Sequence, residues 1–445
     1  MSVVFPQLPV IAIIFALFGI FLLLSNKDTS NFTLKIGDFF GFLSVAELER
    51  QQRGYQVLHL IVVPADGDGF HPNVQYSLAQ KRWRLHNIII DGCWLLPSCK
   101  QLVVCQDRDQ ARNLLTKVQS DLYPLGYSVD SPNARWSSGY SFVEGHKGND
   151  PRVLRASDQA RTYMSQWLNQ AAPNKQVVSL TLREAGHNEK RNILRSEWIV
   201  FANWLKQSGY TPVFVPDTEI AATELAQGYQ NHLTCEIAAV NIDLRMALYE
   251  HSFLNVNVTN GPAQLCGLSP ITRCLTFVTG DWLHDEPTPF LAMGLDRGES
   301  PSYFSQHQKF VWRDPNEKTL VDAFNLFLAE TKLSPLIPGQ LPSPEPMDER
   351  NHRDLIQIAQ RYLSGREWDL FDDLSSYLLK IRPNSYQLYY LTGLAAHARY
   401  DPSAKERLAF ALTLIEVETK IEKTDTATLK VRDHILEILS RIEVS

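Results

Sequence analysis

Two stretches of this chain alternate apolar, β-rich runs with helical patterns, and this alternation limits the possible folds more than any other feature. VLHLIVV (57–63) is a continuous apolar run that ends at a proline, as expected for a buried parallel strand. A helical segment, a second apolar run at 102–105 and an extended piece at 126–129 follow it. Strand, helix and strand in this order predict a parallel sheet covered by helices, which is a Rossmann-like α/β unit.

The same pattern restarts after NQAAPN (169–174), a polar segment with a proline that we interpret as a domain boundary. The predicted strands lie at 177–182, 211–215, 253–258 and 273–278, and the predicted helices lie at 196–208, 243–251 and 318–330. We therefore predict an α/β fold with two Rossmann-like domains, residues 55–170 and 175–330, which face each other across a cleft.

Length, charge and cysteine content limit the classes of protein to which this chain can belong. A chain of 445 residues that is 44% apolar has enough material for two such domains and a smaller part. The formal charge of -6, without a basic block, argues against nucleic acid as a partner. The six cysteines form no CxxC pair, so we interpret them as buried thiols in a reducing compartment.

An apolar run near the start of the chain, VIAIIFALFGIFLLL (10–24), is with its flanks about 22 residues long, which is enough to cross a bilayer as a helix. A cleaved signal peptide is the alternative, but no basic residue precedes the run and no small-residue cleavage site follows it, so we interpret residues 1–30 as an uncleaved transmembrane helix. Basic residues after the run predict a single-pass protein whose two α/β domains are cytoplasmic. The segment 39–48 is either an amphipathic helix on the membrane surface or an ordinary packed helix.

A corner in the second domain, Asn260-Gly261-Pro262, follows the third predicted strand. Thr259 or Asn260 is suited to cap a helix that begins near Ala263, with Pro262 at its first position. Free backbone N–H groups at such a corner, and close approach of a ligand to Gly261, favour a phosphate site that faces the cleft. The alternative is a strand-to-helix turn that binds no ligand.

Three segments carry a resemblance to a known group of proteins: VVSLTLREAGHNEKRN (177–192), DLRMALYEHSFLNVNVTNGPAQLCGL (243–268) and KFVWRDPNEKTLVDAF (309–324). In this order they resemble bacterial glycosyltransferases of the two-domain GT-B architecture, over residues 55 to 330. The resemblance implies an acceptor-side first domain and a donor-side second domain. It also implies a nucleotide-diphosphate sugar as substrate, and no further cofactor.

The resemblance assigns roles to individual residues. The turn at Asn260, Gly261 and Pro262 is similar to the turn with which GT-B enzymes hold the donor diphosphate. Arg183, directly after a strand, resembles the arginine that GDP-sugar fucosyltransferases place against the donor phosphates. Glu184 stands where that pattern has a second arginine, which leaves the identity of the donor open.

The residue chemistry points to the same region. Arg183, Arg191 and Arg195 lie on one loop-to-helix stretch, and a guanidinium matches phosphate oxygens with two parallel hydrogen bonds. Such a stretch is also typical of a solvated helix start.

Two catalytic bases and one nucleotide-binding residue complete the predicted site. Glu184 and His187 are the nearest candidates for the base on an acceptor hydroxyl, although a histidine in a loop is often only solvent-exposed. Asp217 follows a strand, where it could bind the donor nucleoside or cap a helix. The DxD spacing at 66–68 lies in the first domain, so we predict a site without metal.

The end of the chain has a different composition. Residues 331–350 contain SPLIPGQLPSPEP, a proline-rich linker that either wraps the second domain or separates it from the rest. Residues 351–445 have helical patterns that fit the tetratricopeptide period loosely. Because at most two repeats fit, we expect this helical domain to pack on the second domain or on another chain.

Three functions are compatible with the sequence. The first is a membrane-anchored, metal-independent glycosyltransferase that acts on an envelope or lipid-linked glycan. The second is a non-catalytic scaffold of the same architecture whose helical tail recruits a partner protein. Hydrolysis or epimerisation of nucleotide sugars on the same fold is the third, because a fold does not fix a reaction.

Overall fold

A computed structural model describes residues 10–16, 36–63, 76–116, 121–124, 127–130, 139–186, 188–218, 229, 232–286, 288–337, 339–348, 354–421 and 425–444. These residues form two parallel sheets with surrounding helices, followed by a helical C-terminal region.

The first sheet has four parallel strands in the order β3-β2-β1-β4. Their bounds are Val10–Ala16 for β1, Val57–Val63 for β2, Cys99–Val104 for β3 and Asp121–Tyr123 for β4. The predicted strand at 57–63 is therefore confirmed, and the one predicted at 102–105 is present as β3, which begins and ends earlier. Of the extended piece predicted at 126–129, the described residues 127–129 do not form a strand, and β4 ends at Tyr123.

The predicted transmembrane helix is wrong over the part of the apolar run that the structure describes. Val10–Ala16 is extended and pairs in parallel with β2 on one side and β4 on the other. A strand in the middle of a parallel sheet is covered on both faces, so it needs the same continuous apolar sequence as a membrane helix. Residues 17–24 lie outside the described residues. Among the helices that are described, none has the length and hydropathy needed to cross a membrane.

The second sheet has six parallel strands in the order β10-β9-β8-β5-β6-β7. Their bounds are Val177–Thr181 for β5, Thr211–Val215 for β6, Leu233–Thr234 for β7, Leu254–Val258 for β8, Cys274–Phe277 for β9 and Gln308–Val311 for β10. All four strands predicted in this domain are present. The two sheets are separate, as the division of the chain into two α/β units requires.

The helices around the sheets are α1 Ile36–Gln52, α2 Leu78–Arg84, α3 Arg108–Leu115, α4 Gly139–His146, α5 Asp158–Ala171, α6 Arg195–Gln207, α7 Glu236–Val240, α8 Ile242–His251, α9 Gly261–Gly267, α10 Asp281–His284 and α11 Glu317–Thr331. The three helices predicted in the second domain correspond to α6, α8 and α11. Trp198, Phe201 and Leu205 recur at helical spacing on α6 and are fully buried, so one face of this helix belongs to the core.

The helix α1 is buried between the two domains. Phe39, Phe40 and Leu43 are fully buried, and α1 packs against α4 and against α9 of the second domain. The hydroxyl of Ser141 on α4 also donates a hydrogen bond to the carbonyl oxygen of Gly41 at 3.4 Å. The segment 39–48 is therefore an ordinary packed helix and not a helix on the membrane surface.

The two faces of β8 differ in chemistry. Leu254, Val256 and Val258 point into the apolar cluster that also contains the buried residues of α6 and α11. Asn255 and Asn257 alternate with them on the opposite face and are also fully buried. Asn255 accepts a hydrogen bond from the Ser179 hydroxyl of β5 at 2.5 Å, so polar side chains share this face on the two central strands. A continuous polar face thus leads toward the carboxyl edge of the sheet.

The proline-rich segment wraps the second domain. The Arg273 guanidinium donates to the carbonyl oxygen of Ser334 at 3.1 Å, and the side-chain oxygen of Gln176 accepts from the backbone N–H of Leu336 at 2.8 Å. Further along, the N–H of Glu345 donates to the carbonyl of Pro270 at 3.0 Å. These backbone contacts fix the segment along the domain surface.

The C-terminal region is helical, with α12 Leu355–Ser364, α13 Trp368–Ile381, α14 Tyr386–Ala398, α15 Ala404–Ile421 and α16 Thr426–Val444. Its first two helices pack on the rest of the chain. Lys147, after α4, forms an ion pair with Asp373 at 2.7 Å, and the Tyr362 hydroxyl donates to the carbonyl of Met293 at 3.1 Å. The expected packing of this region on the second domain is thus present at Met293. The tetratricopeptide resemblance stays a prediction.

All six cysteines are buried and unpaired, in agreement with the sequence analysis. Burial raises the pKa of the Cys99 thiol to about 12, and it raises the pKa of Cys235 to about 11. Both groups are protonated at neutral pH and therefore behave as small apolar side chains.

Candidate functional site

The strands β5 and β8 lie side by side in the middle of the second sheet, and the chain leaves them in opposite directions. From β5 it continues through α6 to β6, and from β8 it continues through α9 to β9 on the other side. Sheets of this kind bind ligands in the crevice outside the carboxyl ends of the two strands where the order reverses. The residues that directly follow Thr181 and Val258 therefore form the candidate site.

The Asn260-Gly261-Pro262 corner is a strand-to-helix turn. The Asn260 side chain accepts a hydrogen bond from the N–H of Ala263 at 2.9 Å and so caps α9. The helix begins at Gly261, two residues earlier than predicted, and Pro262 is its second residue. Proline is tolerated there because the N–H it lacks would have no partner within the helix. With seven residues, α9 is a short helix that packs against α1.

Arg183 lies just beyond β5 and is only 5% exposed. Its Nη1 donates to the carbonyl oxygen of Asn188 at 3.0 Å and to the side-chain oxygen of Asn192. Asn192 also bonds both backbone groups of Ala185, which closes the loop and holds the arginine in place. Both of these acceptors are neutral oxygens that orient the guanidinium.

Arg191 extends from the same loop to the neighbouring strand. Its Nη2 donates to the backbone carbonyl of Thr259, the first residue after β8. The guanidinium carbon lies 5.2 Å from the centre of the Trp282 ring, within the range of a cation–π contact. Its Nε–H is buried and donates to no acceptor among the residues that the structure describes.

The two arginines are electrostatic neighbours. Burial, followed by the positive charge of Arg183, lowers the pKa of Arg191 to about 10, and Asp281 opposes this shift. The group is still protonated at neutral pH, so two cations lie together in a partly desolvated crevice. The two positive charges repel each other, and an anion with more than one negative charge offsets such repulsion when it binds.

Glu184 forms a second cluster beside the arginines. One carboxylate oxygen pairs with Arg195 at 2.7 Å, and the other accepts a hydrogen bond from the Tyr229 hydroxyl at 2.9 Å. Burial, and then the charge of Glu184, raise the pKa of the Tyr229 phenol, which therefore stays protonated and continues to donate. The third predicted arginine of this stretch, Arg195, thus points to a carboxylate. The backbone N–H of Glu184 donates to Asp217 at 3.2 Å, so Asp217 borders the same cluster.

The remaining predictions for the site concern a histidine and a metal. His187 lies outside the described residues. Within the described part of the chain, no group of three or more His, Cys, Asp or Glu side chains has the arrangement to hold a metal ion.

Three residues of the crevice were missed by the sequence analysis: Thr259, Gly280 and Trp282. Thr259 was considered only as a helix cap, yet its carbonyl binds Arg191 and its buried hydroxyl finds no partner among the described residues. Gly280 and Trp282 follow β9, the next strand in the sheet. Their position after a predicted parallel strand is the signal that could have identified them, because all such strands end at the same edge.

Comparison with known proteins gives matches of fold only. No protein-family profile matches the sequence, and no curated protein matches it. Among solved structures, a glycosyl transferase family 9 protein from Veillonella parvula is similar over 72% of this chain and 98% of its own, at 9% identity and a TM-score of 0.46.

Two other solved structures are similar to this chain. ADP-heptose lps heptosyltransferase II of E. coli matches 72% of this chain and 99% of its own, at 10% identity and a TM-score of 0.41. The iron-containing dodecameric glycosyltransferase TibC of E. coli matches 74% of this chain and 81% of its own, at 14% identity and a TM-score of 0.36. At these identities and scores the likeness assigns neither a reaction nor a site.

Proposed function

We propose that this chain is a glycosyltransferase that transfers a sugar from a nucleotide-diphosphate donor to a glycan acceptor. The observation that carries this proposal is the pair of neighbouring arginines, Arg183 and Arg191, at the point where the strand order of the second sheet reverses. The donor diphosphate lies in this crevice, beside the turn at Asn260, Gly261 and Pro262.

The charge of the crevice suits this ligand. When the bond between the sugar and the diphosphate breaks, the electron pair stays on the phosphate oxygen, and negative charge accumulates on the leaving group. Arg183 and Arg191 stabilise that charge with hydrogen bonds that need no reorganisation, because Asn192 and Thr259 already hold their guanidinium groups. In this proposal the arginines supply the positive charge that a metal ion supplies in other transferases.

The acceptor hydroxyl attacks the sugar carbon and loses its proton to a base. Glu184 and His187 remain the proposed bases. The carboxylate of Glu184 is bound by Arg195 and Tyr229, and both contacts must loosen before it can accept a proton. Asp217 is proposed to bind the donor nucleoside, since it borders the same edge of the sheet.

A scaffold without catalysis is the second candidate, and one observation favours it. Glu184, the proposed base that the structure describes, has both carboxylate oxygens engaged. In this alternative the helical C-terminal region recruits a partner protein through tetratricopeptide-like helix pairs. An envelope or lipid-linked acceptor, the cytoplasmic location and the bounds of the domains stay predictions.

Binding of nucleoside diphosphates tests the proposal. We expect at least one of ADP, GDP, UDP and CDP to raise the unfolding temperature, because a ligand at 100 times its dissociation constant stabilises the folded state by about 2.7 kcal/mol. The corresponding nucleosides, at equal concentration, are the control and should give smaller shifts. If no diphosphate shifts the transition, the proposed donor site is wrong and the scaffold is favoured.

A further inference from the structure

The turn after β9 and the start of α10 contact Arg191 at three points. The Thr279 hydroxyl donates to the backbone carbonyl of Arg191 at 3.4 Å, Gly280 lies against the start of its side chain, and the Trp282 ring faces its guanidinium at 5.2 Å. We propose that Gly280 and Trp282 are positioning residues that hold Arg191 against the donor phosphates. This inference rests on the proposed function, and it adds a role for a turn that lies outside the predicted site.

Gly280 is required by both its backbone and its surroundings. Its φ of 60° and ψ of -137° are angles that residues with a side chain rarely adopt. A Cβ at this position would lie 2.6 Å from Cγ of Arg191 and 3.0 Å from the carbonyl oxygen of Lys190. Since one of these atoms belongs to the backbone, an added methyl group displaces the loop that carries Arg191.

Trp282 holds the other end of the side chain. Its indole packs edge to face on Phe290, with ring centres 4.4 Å apart and planes at 73°, so the ring cannot rotate freely. The guanidinium lies over this fixed ring, and its Nη2 is directed to the carbonyl of Thr259 on the neighbouring strand. Trp282, which follows β9, therefore fixes the position at which Arg191 contacts Thr259 at the end of β8.

The role of Gly280 is tested with Gly280→Ala, and Gly209→Ala is the matched control. Gly209 also has a positive φ, of 88°, but nothing lies within 4 Å of a Cβ added there. The probes are inorganic pyrophosphate and the nucleoside diphosphate that binds the parent protein most tightly. We expect Gly280→Ala to weaken both by the same factor, about tenfold or more, because one hydrogen bond to a charged group is misplaced. Gly209→Ala should bind both probes as the parent does.

The role of Trp282 is tested with two substitutions. Trp282→Phe keeps an aromatic face for the guanidinium and should retain most of the affinity for pyrophosphate, whereas Trp282→Leu should lose about as much as Gly280→Ala. A packing role alone would give the two variants the same affinity once both are folded. If Gly280→Ala does not fold, the comparison of Trp282→Phe with Trp282→Leu still tests the positioning role.

The outcomes separate the two proposals. Binding of neither probe by the parent protein overturns the proposed function and this inference together. Binding by the parent, with unchanged affinity in folded Gly280→Ala, overturns only the positioning role. Equal losses of affinity in Gly280→Ala and Gly209→Ala, or in Trp282→Leu and Trp282→Phe, also overturn the positioning role.

Discussion

Removal of residues 1–16 is expected to abolish cooperative folding of the first domain, because it deletes β1. This strand lies between β2 and β4 and pairs with β2 from Val10 to Ala16, so its loss divides the sheet and leaves backbone groups on both neighbours without partners. If the same residues belonged to a membrane anchor, their removal would leave a soluble and fully folded remainder. Calorimetry and hydrogen exchange of the truncated chain measure the difference.

A point substitution refines this test. Ile13→Pro removes one N–H from a strand that is paired on both sides, and we expect it to lower the free energy of unfolding by about 2 kcal/mol or more. Ile13→Val, which suits a strand equally well, is the control and should change the stability little. Equal stability of the proline variant and the parent protein would contradict the placement of β1.

Simultaneous replacement of Arg183 and Arg191 by alanine is expected to weaken the binding of a nucleoside diphosphate by about 100-fold or more. Each hydrogen bond to a charged group contributes about 1.5–3 kcal/mol, and a factor of ten corresponds to about 1.4 kcal/mol. Arg183→Ala alone should cost about an order of magnitude or more. Titration of each variant with the diphosphate that binds the parent protein most tightly gives these factors.

Two further variants make the test specific. Arg441→Ala removes a guanidinium from the last helix, where the side chain is 72% exposed, and it should not change the affinity. Arg183→Lys keeps the charge but loses the planar arrangement of donors, so its affinity should fall between those of the parent and Arg183→Ala. A folded double alanine variant that binds as tightly as the parent protein would show that the arginines do not contact the ligand.

The sequence alone allowed most of the second domain to be predicted. Its four predicted strands are β-rich runs of five or six residues between turn signals, and helices separate them, so local patterns and the tertiary fold agree there. The short strands β7 and β10 were not predicted. The strand-to-helix turn at Asn260 was also predicted from the sequence, because helix capping and the tolerance of proline depend on residues adjacent in the chain.

The local sequence pattern did not predict the structure correctly where two environments require the same types of residue. The apolar sequence of the run at 10–24 is compatible with a membrane helix and with a central parallel strand. Only the pairing of Val10–Ala16 with Val57–Val63 and Asp121–Tyr123 distinguishes the two structures for the described part of the run. The segment 39–48 was ambiguous for a similar reason, since its apolar side chains fit a membrane surface as well as the interface between two domains.

The composition of the candidate site was decided by tertiary structure. The sequence indicated that Arg183 and Arg191 follow a strand, but it contained no sign that Arg191 reaches the carbonyl of Thr259, or that Arg195 pairs with Glu184. It gave no reason to connect Gly280 and Trp282 with an arginine about 90 residues earlier. Periodicity and capping arise from neighbours along the chain and can be read from it, whereas contacts between side chains at the ends of different strands exist only after the sheet has assembled.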